Sequence, residues 1–188
     1  MIFAKLLQHC RAFGRDGRAV AAVEFALILP FMLSLYVGTL ELSQIIVVDR
    51  RITIIGSTVA DLVAQANGSI KKTDLDSYFA AAQTIIAPFS TTGLTQVVSL
   101  ISVDKTTGAT KVVWSRGYNG GVEKTVGASY PLPATSEMNK LARGSWLVVS
   151  NVNYSYTALL ALVFRSAVPY TREDFFVPRF GKVINLTD

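Results

Sequence analysis

The chain has 188 residues, about half of them hydrophobic (51%), and a formal net charge of +5, which leaves room for one membrane helix and one modest globular domain and no more. The positive charge is local: Lys5, Arg11, Arg15 and Arg18 against Asp16 precede a long apolar run, a membrane-flanking pattern that argues against a nucleic-acid partner. The only cysteine, Cys10, and the only histidine, His9, lie in the same flank, so the rest of the chain forms no disulfide, no Ser-His-Asp or Cys-His centre and no His/Cys metal site.

Residues 1–17 place Ile2, Phe3, Leu6, Leu7 and Phe13 among basic residues, which predicts a short amphipathic helix on the inner membrane face, broken by Gly14 and Gly17. A cleavable secretory signal is the competing reading. Against it, the apolar core is longer than a usual signal core and no clean small-x-small site follows.

From Ala19 to Leu40 the chain is apolar apart from Glu24 and the mildly polar Ser34 and Thr39, meeting the roughly 20 residues that a transmembrane helix needs. A helix buried in a soluble domain is the alternative, but such helices are seldom apolar on every face for so long. The basic flank puts the N-terminus in the cytoplasm and exports the remainder. A carboxylate in hydrocarbon is costly unless neutralised, paired or kept near the headgroups. Glu24 therefore either snorkels beside the basic flank or serves as a recognition or assembly residue with a positive partner on a neighbouring subunit. Pro30 is tolerated in mid-span and predicts a kink.

Past Glu41 the pattern becomes striped. Leu42, Ile45, Ile46, Ile52, Gly56, Val59, Val63 and Ala66 recur at a helical period, with Asp49 on the same seam, which predicts an amphipathic continuation. One helix from Ala19 to Ala66 would be roughly 70 Å long at 1.5 Å per residue, its first half in lipid and its second half against a domain or sister helices. Asn67, Gly68 and Ser69 close it.

Thr73 starts a second helix, with Asp74 and Asp76 in its first turn, a buried face of Leu75, Tyr78, Phe79, Ala82, Ile85 and Ile86, and Pro88 at its end. Leu94 to Val103 and Thr110 to Arg116 read as a hairpin, and residues 118–136, rich in Gly and Pro, as a long surface loop. Ser145 to Tyr156 is the clearest strand, with Trp146, Val148, Val152, Tyr154 and Tyr156 on one face. Residues 157–164 are apolar but too short to span again, predicting a buried short helix or turn. The last run, with Val168, Tyr170, Phe175, Phe176, Val177, Val183 and Ile184, supplies one or two edge strands. The layout is α+β: a basic leader over 1–18, a transmembrane-plus-amphipathic helix over 19–66, and an exported domain with helix and antiparallel sheet over 67–188.

The carboxylates Asp74, Asp76, Asp104, Glu123, Glu137, Glu173 and Asp174 fall at helix starts, turns and loops, where solvated surface is the expected role. Gly117 to Gly121 lacks the spacing of a phosphate cradle. The Asn-x-Ser/Thr matches at Asn67, Asn153 and Asn185 matter only in a glycosylating host. No catalytic residue, cofactor or metal is expected.

The run Val23-Glu-Phe-Ala-Leu-Ile-Leu-Pro30, followed by Leu33, Gly38 and Glu41, resembles the N-terminal segment of TadE-like proteins, the pseudopilins of the bacterial tight-adherence (Flp) pilus machinery. The resemblance implies processing by a prepilin peptidase, normally after a glycine five residues before the glutamate. Here that position is Ala19, with Val20 as the new N-terminus, and Gly17 lies two residues too early. Cleavage after Ala19, cleavage after Gly17 and no cleavage all stay open. Gly17, Ala19, Val20, Glu24 and Phe25 are the implied processing residues, and Glu24, Pro30, Gly38 and Glu41 the implied assembly face. The implied partners are other pilus or pseudopilin subunits, an inner-membrane assembly platform, the peptidase and the bilayer. A signal-anchored envelope domain that binds a ligand or carbohydrate in the 118–136 loop, with the helix a passive tether, is the alternative.

Overall fold

The computed structural model describes residues 17–158 and 164–188. The expected leader helix and the greater part of the expected 157–164 turn lie outside the described residues. Helix α1 is a single helix of 48 residues, Gly17–Ala64, that passes Pro30 without a break. It ends two residues earlier than its periodicity suggests, and Gly68, at a φ of +83°, turns the chain into a short strand.

That strand, β1 (Ser69–Lys71), leads into α2 (Lys72–Gln83), a 3-10 turn (Thr84–Ile86), β2 (Thr95–Val103), β3 (Thr110–Tyr118), a short helix α3 (Glu137–Leu141), β4 (Trp146–Tyr156), β5 (Val168–Phe176) and β6 (Asn185–Thr187). The main sheet is four-stranded in the order β3-β2-β4-β5 and antiparallel throughout. The final run thus supplies one edge strand, β5. Its last residues form β6, which pairs in parallel with β1 in a separate ribbon. The Trp114 indole N–H donates to the Ile184 carbonyl at 2.6 Å and fixes that ribbon to the sheet.

The second half of α1 lies across one face of the sheet. Val48, Ile52, Ile55, Val59 and Val63 pack with Leu75 and Phe79 of α2 and with Val98, Leu100, Val148 and Val152 of the central strands. Leu42 and Ile46, expected on this seam, are half exposed at 51% and 50%. Val48 and Ile55 take their place because the helix meets the sheet on a slightly rotated face. A smaller core covers the opposite face, with Ile101, Val103, Val112, Tyr130, Leu147 and Val149. With a core on both faces, β2 is buried along almost its whole length instead of alternating.

Residues 119–136 are not a free loop. Val112 donates to Ala128 at 2.9 Å, Gly127 to Val112 at 2.8 Å, and the Thr110 hydroxyl to the Tyr130 carbonyl at 2.6 Å. The segment folds back along the outer edge of β3 and inserts Tyr130, 3% exposed, into the second core. An edge strand covered in this way is shielded from pairing with other chains. The short helix α3 that follows is capped by Ser136, whose side chain accepts from the Asn139 N–H.

Three of the carboxylates expected at helix starts, turns and loops make specific contacts or lie partly buried. Asp76 takes a bidentate contact from Arg116, at 3.1 and 2.8 Å, joining α2 to β3. Glu173 lies in β5 and accepts from Asn151 at 2.9 Å and from the Tyr130 hydroxyl. Asp174, its neighbour, points to the opposite face of the sheet, under α1.

Candidate functional site

The apolar helix is the feature that the domain does not absorb. Across its most hydrophobic window no residue is buried against the rest of the chain, and it is long and apolar enough to cross a membrane. Phe25, Leu27, Phe31 and Leu35 are each about two-thirds exposed. Side chains of this kind left bare on every face need lipid or other helices around them. This is consistent with a single-pass membrane anchor. The hydroxyls within the run are satisfied locally: Ser34 donates to the Pro30 carbonyl at 2.7 Å and Thr39 to the Leu35 carbonyl at 2.8 Å.

The residues singled out by sequence divide into two groups. Val20, Glu24, Phe25 and Pro30 stand exposed on the free part of α1; Gly17 and Ala19 lie in its first turn. Glu24 has no ion-pair partner among the described residues. Gly38 is half buried where the helix approaches the domain, and Glu41 is buried at 4% exposure. The Glu41 carboxylate accepts from the Phe164 N–H at 3.2 Å. The two glutamates thus face different surroundings, one bare in the span and one held by the domain.

Beyond Glu41 a polar ladder fastens α1 to the edge strand β5. The Tyr170 hydroxyl donates to the Ile45 carbonyl at 3.1 Å. Arg172 pairs with Asp49 and reaches the Thr53 hydroxyl at 3.3 Å. Asp174 then lies against Gly56. Beyond the strand, Arg179 bonds Asp61 at 2.6 Å, and its N–H donates to the Ala64 carbonyl at 2.9 Å. Two residues of strand advance nearly as far as four residues of helix, about 6–7 Å, so strand and helix keep step when they run in the same direction. On the other flank, Arg51 donates to the Ile85 carbonyl at 2.6 Å and to that of Ala87, and its guanidinium sits 5.9 Å from the Phe89 ring centre. The sequence shows these charges but not their pairing, since each pair joins residues more than thirty positions apart.

Within the ladder, Asp174 Oδ2 is buried without a hydrogen-bond partner. Burial pushes the Asp174 carboxyl above the usual aspartate range; the Arg172 guanidinium opposes this and the Glu173 charge adds to it. A carboxyl raised on folding favours the fold in its protonated form. Its stabilising contribution is complete below the unfolded aspartate value, near 3.8, and is lost as pH rises through the elevated folded value. Asp174→Asn is therefore expected to raise the stability at pH 7 by on the order of 1 kcal/mol, the cost of leaving a buried charged acceptor unsatisfied. Thermal melts at pH 7 and pH 3 test this; the gain is expected to vanish at the lower pH.

No group of three or more His, Cys, Asp or Glu that could hold a metal occurs among the described residues. At the start of the 119–136 segment Gly121 serves backbone packing, since a side chain there would stand 2.3 Å from the Gln96 carbonyl oxygen, and Gly120 supplies a φ of +84°.

A family model described as TadE-like protein matches residues 19–54. The match covers the bare helix and its first turns against the sheet, so the TadE-like resemblance at Val23 to Glu41 holds over that segment; the sheet domain lies outside it. No curated protein and no solved structure matches the chain.

Proposed function

We propose that this chain is a membrane-anchored, pseudopilin-like component in assembly of a bacterial Tad (Flp-type) adhesive pilus, acting by protein–protein contact and without catalytic activity. The observation that carries the reading is the TadE-like match over a helix whose apolar surface and acidic residue, Glu24, are both left bare by the domain. The basic flank keeps the N-terminus in the cytoplasm and the α+β domain in the periplasm. Other pilus subunits and an inner-membrane assembly platform are the partners, and α1 is the surface they share.

In lipid, Glu24 needs a cation. If a prepilin peptidase cuts after Ala19, the new ammonium at Val20 lies one helical turn away and can serve the Glu24 of a neighbouring subunit. The decisive test is the intact mass of the membrane-bound protein in cells with and without their prepilin peptidase. A peptidase-dependent start at Val20 or Arg18 is expected. A start at Met1 in both strains would remove pilin-type processing and leave α1 as a plain anchor.

A further inference from the structure

At the end of the sheet where β4 begins, one row of side chains crosses three strands. Lys111 of β3 pairs with Ser102 of β2, and Ser102 with Trp146 of β4, a row about 10 Å wide at the usual spacing between strands. Ser102 and Trp146 lie two positions from Leu100 and Val148 and so share their face, the one that α1 covers further along. Here that face is open: a groove of about 450 Å³ is lined by the row, by the β2–β3 turn and by Gly144 and Ser145.

The groove is cationic. Lys105 and Lys111, both in its lining, are exposed and have no ion-pair partner among the described residues. The Lys105 stem lies along the bare backbone of Gly144, where a Cβ would stand 3.4 Å from Lys105 Cβ and Cγ. Arg143, also exposed, brings its guanidinium close to Gly108 of the same turn. The carboxylate in the lining, Asp104, is engaged by the turn itself: it accepts from the Thr106 and Thr107 N–H groups at 2.9 and 2.7 Å and from the Thr107 hydroxyl at 2.9 Å.

From this juxtaposition of unpaired lysines, an indole and hydroxyls on a bare strip of sheet, we infer that the groove binds an acidic saccharide, one or two sugar rings carrying a carboxylate. The lysine ammonium groups hold the carboxylate through charge-assisted hydrogen bonds. The hydroxyls of Ser102 and Ser145 both donate and accept, as sugar hydroxyls require. The negative π face of an indole attracts the C–H edges of a sugar ring. Two other ligand classes fit less well. An extended peptide adds to a free strand edge, whereas β2 and β4 lie inside the sheet and Ser129 meets the outer edge of β3 at Lys111. Single-stranded nucleic acid uses a longer cationic track with successive aromatic platforms, whereas this lining has one aromatic residue, Trp146.

Helix α1 runs about 35 Å from Glu41 to Ala64 at 1.5 Å per residue, and the groove lies at its far end: Val148 pairs with Phe176 of β5, and Arg179 holds the Ala64 carbonyl. With the span in a membrane, the groove faces away from that bilayer, toward glycans of the envelope or the exterior. Only this placement rests on the membrane-anchor reading; the groove's chemistry does not.

The test titrates the full-length protein, in a polyoxyethylene detergent free of sugar headgroups, by calorimetry. The probes are digalacturonate, its dimethyl ester, a disaccharide muropeptide and tetrathymidylate. Saturable binding of digalacturonate is expected at a Kd of about 1 mM or lower, with the ester about tenfold weaker for want of a charge-assisted hydrogen bond. The muropeptide assigns the source: tighter binding than digalacturonate points to the cell wall, weaker binding to an acidic polysaccharide. Lys111→Gln and Trp146→Leu are each expected to weaken binding about tenfold, and Lys124→Gln, beside Ser115 further along β3, to leave it unchanged. Should Trp146→Leu fail to fold, Lys111→Gln and the comparison of acid with ester carry the test. No saturable binding, equal binding of acid and ester, unchanged binding in Lys111→Gln, or tighter binding of tetrathymidylate overturns the saccharide site and leaves the anchor intact. Failure of the protein to enter a bilayer overturns the anchor and leaves the titrations standing.

Discussion

Cells producing Glu24→Ala are expected to lose pilus assembly while keeping the protein in the membrane. Alanine in place of the carboxylate makes the span more apolar, so insertion is at least as favourable as before. What disappears is the charge that requires a partner. An acidic residue at membrane depth costs about 2.5–3.5 kcal/mol on insertion scales, and a subunit pair that neutralises it can recover an energy of that order. Losing about 3 kcal/mol corresponds to roughly a hundredfold weaker association, at 1.4 kcal/mol per factor of ten. The readout is a count of pili by electron microscopy beside an immunoblot of the membrane fraction. Normal pili with normal protein levels would show that Glu24 only snorkels to the basic flank. Loss of the protein from the membrane would show that the residue acts in insertion.

The second large effect concerns the contact between α1 and the sheet. Gly56 lies mid-helix, where glycine costs about 0.5–1 kcal/mol relative to alanine, so its presence needs a packing reason. A Cβ at this position would stand 2.4 Å from Asp174 Oδ2 and 3.3 Å from a Val152 methyl. Gly56→Leu is expected to lift the helix from β4 and β5 and to destabilise the domain by about 3 kcal/mol, the upper range for overpacking a well-filled core. Urea titration of the full chain in detergent, followed by near-ultraviolet circular dichroism of Trp114 and Trp146, measures the loss. Gly56→Ala is expected to be milder, because the nearest atom is the end of one side chain, and combining it with Asp174→Ala should recover part of its cost. A Gly56→Leu variant that unfolds at the wild-type midpoint would mean that helix and sheet are not held this closely.

Much of the architecture was legible from residue order. The span, the single long helix, α2, the β2–β3 hairpin and β4 each carry their signal within one continuous stretch, in composition or periodicity. Glu24 was legible as a candidate because an isolated acid in an apolar run is conspicuous without any knowledge of tertiary contacts. Glu41 joins the assembly face only through the family resemblance, and the fold places it in the domain's own junction. Nothing local distinguishes an acid facing lipid or a sister helix from one buried by a segment more than a hundred residues later.

The sequence by itself determined that this protein has one apolar helix fit to span a membrane, continued by an amphipathic half and followed by an α+β domain. Hydrophobic length and period are local properties, and they survive whatever the rest of the chain does. The tertiary structure decided which helical face meets the sheet, that residues 119–136 close the edge of β3, that β1 and β6 pair, that Asp76 and Glu173 take specific partners, and that an Asp174 oxygen is buried. It alone assembled the groove beside Trp146 from the β2–β3 hairpin and the start of β4. Each of these depends on long-range register, which is set by packing between elements and has no signature in any single stretch of chain.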